Sequence, residues 1–153
     1  MKSTILSLAP NVAKNAYHRI KKFFGGDIHV HVDRTILRHI ARYIKANEFV
    51  RDCDVLDIAC GSGYGALILS NAASYRGIDL DYRAIREAKR EFSEFNYYRG
   101  SIYELPFSAN SVTAITSFET LEHVDNPIAA MKELSRVLAP NGIFMVTTRL
   151  RKP

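Results

Sequence analysis

The amino-acid sequence predicts an α/β fold, a doubly wound parallel sheet with helices on both faces. Five apolar stretches of strand length alternate with stretches that carry apolar residues at helical spacing. Residues 55–59 are apolar apart from Asp57 and run directly into a glycine-rich turn, as expected for a strand buried on both faces of a parallel sheet. Alternation of this kind forms parallel sheets with right-handed crossovers.

Residues 1–50 are predicted to be a helical preface, and residues 51–153 the core, of a single domain. Apolar residues recur at helical spacing from Val12 to Phe23, and a second helix is expected from an N-cap at Asp33 to about Ala46. Residues 1–51 carry a formal charge of +7, whereas the rest of the chain carries −2. A basic arm can meet nucleic acid, anionic lipid or an acidic substrate, but a solvated helix face also explains the charge.

The cysteines and histidines give no sign of a disulfide or a metal site. The two cysteines flank the first strand, about 23 Å apart at about 3.3 Å per residue, so they are not expected to pair. His29 and His31 have no third ligand at a suitable spacing, so no metal site is predicted. Strands are expected at 54–59, 75–79, 95–99, 112–118 and 143–148, and helices at 64–73, 82–92 and from Pro127 to the Ala-Pro-Asn-Gly sequence at 139–142.

The turn after the first strand carries glycines at positions 61, 63 and 65. Glycine lets bare backbone approach a ligand, and the N–H groups that open the next helix favour a carboxylate or a phosphate. A dinucleotide-binding turn has the pattern G-x-G-x-x-G, in which the third glycine comes one residue later than in this chain. The second strand ends at Asp79, where a carboxylate can accept hydrogen bonds from the two hydroxyls of a ribose. Together these features indicate a nucleoside ligand with a polar tail.

These motifs resemble the class I S-adenosylmethionine-dependent methyltransferases, and within them the small-molecule branch known as type 11. The resemblance rests on VLDIACGSGYG, on RGIDLD and on the later blocks LEHVDNP and ELSRVLAPNG, and it covers roughly residues 50–150. It implies a Rossmann-like sheet of order 3-2-1-4-5, with S-adenosylmethionine (or its product S-adenosylhomocysteine) at the carboxyl ends of strands one and four.

The resemblance also implies roles for individual residues. The glycines would approach the methionine part of the cofactor, with Asp57 below them to orient backbone N–H groups or the ligand ammonium. Asp79 would bind the ribose and Leu80 the adenine. Ser101 stands where the family usually has an acidic residue, and a hydroxyl accepts from the adenine amino group more weakly than a carboxylate does. The full set of expected cofactor-binding residues is Asp57, Ala59, Gly61, Gly63, Gly65, Asp79, Leu80, Ser101, Ile102 and Phe118.

The residues that follow strand four are the candidates for catalysis. Glu119 and Phe118 would face the methyl-transfer region, and His123 with Glu122 is the candidate acid–base pair. Alternatively, Glu122 and His123 cap and anchor the following loop. Tyr17, His31 or Arg34 could lie over the methionine end of the cofactor.

The family fold normally continues beyond strand five with a helix and an antiparallel pair of strands. We therefore expect a shortened chain whose fifth strand is an open edge, covered by the N-terminal segment or by a second copy in a homo-oligomer. No apolar run approaches the ~18 residues of a membrane span and no signal peptide is recognisable, which favours a cytoplasmic protein.

The expected function is methyl transfer to a small molecule or to a glycan or lipid-linked acceptor. A cofactor-binding module without catalysis is the alternative. The glycine spacing disfavours a nicotinamide-dependent oxidoreductase. A nucleic-acid acceptor is disfavoured because no Asn/Asp-Pro-Pro-Tyr block follows strand four.

Overall fold

A computed structural model describes residues 19, 20 and 22 and residues 34–148 of the 153-residue chain. No helix within this described part is long and apolar enough to cross a lipid bilayer. The elements in chain order are α1 (Arg34–Asn47), β1 (Asp54–Ile58), α2 (Gly65–Ile68), β2 (Ser74–Asp79), α3 (Tyr82–Glu91), β3 (Asn96–Arg99), β4 (Val112–Phe118), a 3₁₀ turn (Leu121–His123), α4 (Pro127–Val137) and β5 (Leu138–Thr147).

The five strands form one parallel sheet in the order β3-β2-β1-β4-β5, which confirms the predicted fold class and strand order. The chain moves outward from β1 to β3 and then returns to the other side of β1 with β4. The winding therefore reverses between β1 and β4, and the carboxyl ends of these strands border the position where open α/β sheets bind ligands.

The two faces of the sheet carry separate hydrophobic cores. One core joins the sheet to α1, α2 and α3, and contains Tyr43, Ala66 and Ile85. The other core joins it to α4, and contains Leu56, Ile115 and Leu134. Arg19, from the N-terminal region, pairs with Glu94 and lies over the ring of Phe92. Helices thus cover both faces, as the alternating pattern predicts.

Two predicted boundaries are wrong by more than a residue. The helix expected over 64–73 is the four-residue α2, because Leu69 leaves the helical conformation and the following loop is bound to α1. In that loop, Asn71 donates two hydrogen bonds of 2.9 Å to Asn47, from its backbone N–H to Oδ1 and from its side-chain amide to the backbone carbonyl. The fifth strand begins at Leu138 rather than 143, since α4 passes directly into it, with an irregularity before Ile143 rejoins the ladder opposite Ala114.

The helix predicted between Val12 and Phe23 and the N-cap at Asp33 fall outside the described residues, apart from Arg19, Ile20 and Lys22. The second predicted helix corresponds to α1 and extends to Asn47. Both cysteines are free, as predicted from their separation along β1.

Candidate functional site

Asp79 and the glycine turn meet at the carboxyl edge of the sheet. The backbone N–H of Gly61 donates to Oδ2 of Asp79 at 2.8 Å, and the N–H of Asp81 donates to Oδ1 at the same distance. Because β1 and β2 are parallel neighbours, the turn after β1 and the end of β2 lie side by side. Each carboxylate oxygen has a second lone pair, so Asp79 can still accept hydrogen bonds from a ligand.

The three glycines of the turn have different surroundings. Gly61 has a φ of +55°, and a Cβ built on it would meet nothing within 4 Å, so its backbone faces open space. Gly63 has a φ of +83°, and its Cβ would lie 2.7 Å from Ala88 and from the Tyr97 ring. At Gly65 a Cβ would lie 2.5 Å from the Tyr43 ring. One glycine thus opens the turn toward solvent, while the other two let it pack on the protein.

Ala59 begins the turn rather than ending the strand. It has a φ of +56°, a left-handed conformation that is uncommon for a residue with a side chain, and it is exposed. The strand predicted over 54–59 therefore stops at Ile58. This strained residue lies two positions before the open backbone of Gly61, so the turn has an unusual conformation where a ligand can reach it.

Asp57 is completely buried beneath the turn and is bound by three side-chain hydroxyls. The hydroxyls of Tyr43 and Tyr75 donate to Oδ2 at 2.9 and 2.7 Å, and that of Thr116 donates to Oδ1 at 2.6 Å. Burial raises the pKa of Asp57 from 3.8 to about 6, although the three hydrogen bonds lower it. The side chain points into the core toward these three hydroxyls, and its expected role of orienting backbone N–H groups or a ligand ammonium stays a prediction.

The end of β4 is tied to helix α1. The Phe118 side chain is only 8% exposed, and its ring meets the Tyr43 ring edge to face at a centroid distance of 5.0 Å. Glu119 has a φ of +54° and its carboxylate accepts from Nη2 of Arg42 at 3.0 Å. Phe118 is therefore mainly a core residue, and Glu119 is an ion-paired one.

His123 and Glu122 lie in the 3₁₀ turn that follows β4. His123 is exposed, and Glu122 accepts a hydrogen bond of 2.9 Å from the Thr148 hydroxyl beyond β5. The contact of Glu122 corresponds to the anchoring alternative. The acid–base role of His123 stays a prediction, and its imidazole has the solvent access that this role needs.

The loop after β3 forms the remaining margin. Leu80 is 68% exposed beside Asp79, and Ile102 packs partly on the α4-side core. The Ser101 hydroxyl accepts from the N–H of Tyr103 at 3.2 Å, and the Tyr103 hydroxyl accepts from the N–H of Asn126 at 2.9 Å. The loop is thus joined to the start of α4, and Ser101 already serves a local turn.

Nothing at this edge indicates a metal ion, since no group of three potential ligands occurs among the described residues.

Two concave regions lie elsewhere, a surface of about 390 Å³ along α4 and a cavity of about 560 Å³ at the amino ends of β2 and β3. The open glycine backbone and the acid at the winding reversal still make the carboxyl edge the better candidate for the site, because neither concave region combines such groups.

Sequence reasoning missed the side chains that surround Asp57 and Glu119, namely Tyr43, Tyr75, Thr116 and Arg42. Tyr43 could have been found, because it lies three residues after Ile40 and so shares the inner face of α1. Thr116 and Tyr75 lie on strands and give no local signal of their partner. Tyr17 and His31 lie outside the described residues, and Arg34 is the first residue of α1.

Comparison of the sequence with known proteins identifies related methyltransferases. The model of a family described as "Methyltransferase domain" matches residues 56–146. A protein of Mycolicibacterium smegmatis named "Probable S-adenosylmethionine-dependent methyltransferase" is 32% identical over 112 residues, which cover 72% of this chain and 44% of that protein. The ubiquinone biosynthesis O-methyltransferase of Nitrosospira multiformis is 29% identical over 117 residues, which cover 72% of this chain and 49% of that enzyme. This chain thus spans less than half the length of these relatives.

Solved structures share the fold. The YcgJ protein of Bacillus subtilis superposes with a TM-score of 0.65 at 26% identity, over 71% of this chain and 49% of that chain. The cyclase SpnF superposes with a TM-score of 0.66 at 23% identity, over 87% of this chain and 56% of that chain. The family match covers the glycine turn, Asp79 and the end of β4. This chain therefore belongs to the class I S-adenosylmethionine-dependent methyltransferases.

Proposed function

We propose that this chain binds S-adenosylmethionine at the carboxyl edge of β1, β2 and β4 and transfers its methyl group to a small-molecule acceptor. The contact of 2.8 Å between the N–H of Gly61 and Asp79 carries the proposal, because it brings the open turn and the ribose-binding acid into one site. Had these two features been separated, the ligand could not have reached both.

The residues present fit this cofactor. Gly61 offers bare backbone to the methionine part, and Asp79 has free lone pairs for the ribose hydroxyls. Leu80 offers exposed apolar surface for the adenine, with Ile102 and Ser101 on the far side. Asp57 would support the turn from below rather than contact the ligand, since it is completely buried.

The bound sulfonium supplies an already activated methyl group. The protein's task is then to hold the acceptor in line with it, at about 3–3.5 Å. A base is needed only if the acceptor must lose a proton. His123 is the better candidate for that role, because it is exposed near the end of β4, whereas Glu119 is paired with Arg42.

The acceptor class is proposed from relatives. Among them are the O-methyltransferase of ubiquinone biosynthesis from Nitrosospira multiformis and a demethylmenaquinone methyltransferase from Staphylococcus carnosus. Both names refer to quinones, which are small molecules. A glycan or lipid-linked sugar remains within the proposed class, and the nucleic-acid alternative has no support from the described site.

Cofactor binding without catalysis is the second candidate. The chain spans less than half the length of its curated relatives, so the catalytic activity of those whole enzymes is itself a proposal for this chain. The likeness to a cyclase adds that this fold does not by itself fix the reaction.

Calorimetric titration with S-adenosylmethionine, S-adenosylhomocysteine and NAD tests the proposed ligand. We expect the first two to bind and NAD not to bind. Asp79→Asn should weaken binding by about tenfold or more, equivalent to about 1.4 kcal/mol, because it loses a charged acceptor. Asp81→Asn is the matched control, since Asn is an equally good N-cap for α3. Equal affinities for all three ligands would refute the assignment.

Transfer of a labelled methyl group to quinol, phenol and sugar acceptors separates catalysis from binding alone. Labelled product supports the enzyme, and cofactor binding without product on any acceptor supports the binding module. In an active preparation, His123→Gln should lower turnover with cofactor affinity unchanged. Unchanged turnover would rule out His123 as the base.

A further inference from the structure

Helix α1 contacts both margins of the proposed cofactor site through two consecutive residues. The Tyr43 ring lies against the glycine turn, and Arg42 pairs with Glu119 after the end of β4. The described part of α1 lies outside the span that the family model matches, which begins at residue 56. Its contacts therefore concern a part of the chain that the family match does not cover.

Tyr43 contacts the underside of the turn in two ways. Its hydroxyl donates to Oδ2 of Asp57 at 2.9 Å, in a pair of buried side chains. Its ring occupies the space beside Gly65, where a Cβ would lie 2.5 Å from the ring and 3.0 Å from the same carboxylate oxygen. Gly65 has no positive φ, so this close approach is what requires glycine there. A shift in the position of α1 would therefore move atoms that are in direct contact with the glycine turn.

The Tyr43 ring also packs against aromatic side chains from both sides of the site. It meets Phe118 of β4 at a centroid distance of 5.0 Å and Tyr64 of the turn at 5.7 Å, both edge to face. The neighbouring ion pair joins Arg42 to Glu119 at 3.0 Å, with both side chains partly buried. A displacement of α1 would therefore disturb the turn after β1 and the end of β4 together.

From these contacts we propose that Tyr43 is a positioning residue, whose hydroxyl and ring hold the glycine turn in the conformation that binds the cofactor. It does not touch the cofactor and acts through Asp57 and Gly65. Cofactor binding and the docking of α1 are then coupled, so that each favours the other. The inference rests on the proposed function, because it assumes that the turn binds S-adenosylmethionine.

Tyr75 provides a matched control within the same hydrogen-bond cluster. Its hydroxyl donates to the same oxygen of Asp57, at 2.7 Å, and its side chain is 5% exposed, as is that of Tyr43. Tyr75 lies on β2 rather than on α1. Tyr43→Phe and Tyr75→Phe therefore each remove one buried hydroxyl from one carboxylate, but only the first loosens the connection to the helix.

The test measures the affinity for S-adenosylhomocysteine by calorimetry and the stability by urea unfolding for both variants. We expect Tyr43→Phe to raise the dissociation constant by about fivefold or more, and Tyr75→Phe by less than about twofold, at comparable losses of stability. Equal changes in affinity would overturn the inference while leaving the proposed function intact. If the wild-type chain does not bind the ligand, the proposed function fails, and the inference with it.

Hydrogen exchange on the wild-type chain gives a second readout that needs no variant to fold. Saturation with S-adenosylhomocysteine should slow amide exchange in α1 between residues 40 and 47, because binding favours the docked helix. Exchange in β5, whose residues belong to no margin of the proposed site, is the internal reference. Protection of the glycine turn without any protection of α1 would contradict the coupling.

Discussion

At the scale of single residues, the glycines of the turn are required for two different reasons. One reason is a left-handed backbone, and the other is the lack of room for a side chain. Gly61 needs a left-handed backbone but has open space around it, whereas Gly63 needs both the left-handed backbone and the absence of a side chain. A residue that must avoid Ala88 and Tyr97 serves packing, and one that faces open space serves a ligand. The two glycines should therefore respond differently to the same substitution.

Gly63→Ala should lower the free energy of unfolding by about 2–4 kcal/mol, through left-handed strain together with overpacking. Gly61→Ala should lower it by about 1–2 kcal/mol, from strain alone, and should weaken cofactor binding because its methyl group enters the open space. Urea unfolding and calorimetry of both variants measure the two effects. Equal losses of stability would show that the close contacts of Gly63 are relieved at no cost.

Asp57 makes stability depend on pH in an unusual direction for a carboxylate. Burial raises its pKa to about 6, so the folded chain binds this proton more tightly than the unfolded chain does. The contribution of Asp57 to the free energy of unfolding is greatest below about pH 4, declines as the pH rises to about 6 and stays low above that. The free energy lost over this range is about 3 kcal/mol, for a pKa difference of about two units. The hydroxyls of Tyr43, Tyr75 and Thr116 limit this cost.

Asp57→Asn removes the titration and keeps a similar shape. Urea unfolding of both proteins between pH 4 and pH 7 should show wild type losing stability relative to the variant as the pH rises. The comparison also cancels the opposite trends of Glu94 and Glu133, whose pKa values are lowered by arginine partners. Parallel stability curves would mean that Asp57 titrates alike in both states.

At the scale of elements, helix α4 holds the loop that follows β3. The carboxylate of Glu133 accepts from the N–H of Leu105 at 2.7 Å, and Arg136 donates to the carbonyls of Leu105 and Phe107 at 3.2 and 2.9 Å. The two side chains also pair with each other at 2.7 Å. The same loop contains Ser101, so α4 anchors the segment that we propose for the adenine side of the site.

Glu133→Ala should therefore accelerate hydrogen exchange at the Leu105 amide by about tenfold or more, because the amide loses its acceptor. Glu133→Gln keeps an acceptor oxygen and should change exchange much less. Weaker cofactor binding by the alanine variant is the expected consequence, measured by calorimetry. Exchange that is equally fast in both variants would indicate that the charge of Glu133, and not its hydrogen bond, holds the loop.

The elements also show how far the sequence could predict this structure. Strand β4 matches its predicted range of 112–118, because its apolar run has clear ends. Helix α2 was overpredicted, since its pattern continues to Ala73, whereas the hydrogen bonds between Asn47 and Asn71 that redirect the chain are long-range. The same limit applies to the site. Gly61 and Asp79 follow a local motif, but the partners of Asp57 come from three separate elements.

At the scale of the whole molecule, the sheet formed by residues 34–148 has two edge strands of different character. The edge strand β3 has four residues, whereas β5 has ten and remains partly exposed along its length. A long exposed edge presents unpaired backbone groups to another chain, while a short one offers few. Any self-association through the sheet should therefore use β5, as expected from the sequence.

Sedimentation velocity over a range of concentrations tests this prediction. We expect wild-type chains to associate as the concentration rises, and Val146→Lys to weaken that association, because a charged side chain on an edge opposes strand pairing. Val146 is 41% exposed on β5, and Tyr98, at 39% on β3, provides the matched control Tyr98→Lys. The control should associate as the wild type does, since its edge is too short to pair well. A wild-type chain that stays monomeric at every concentration would contradict the prediction and would mean that β5 is protected within its own chain. Equal effects of the two lysine substitutions would show that the added charge, and not the position on β5, weakens the association.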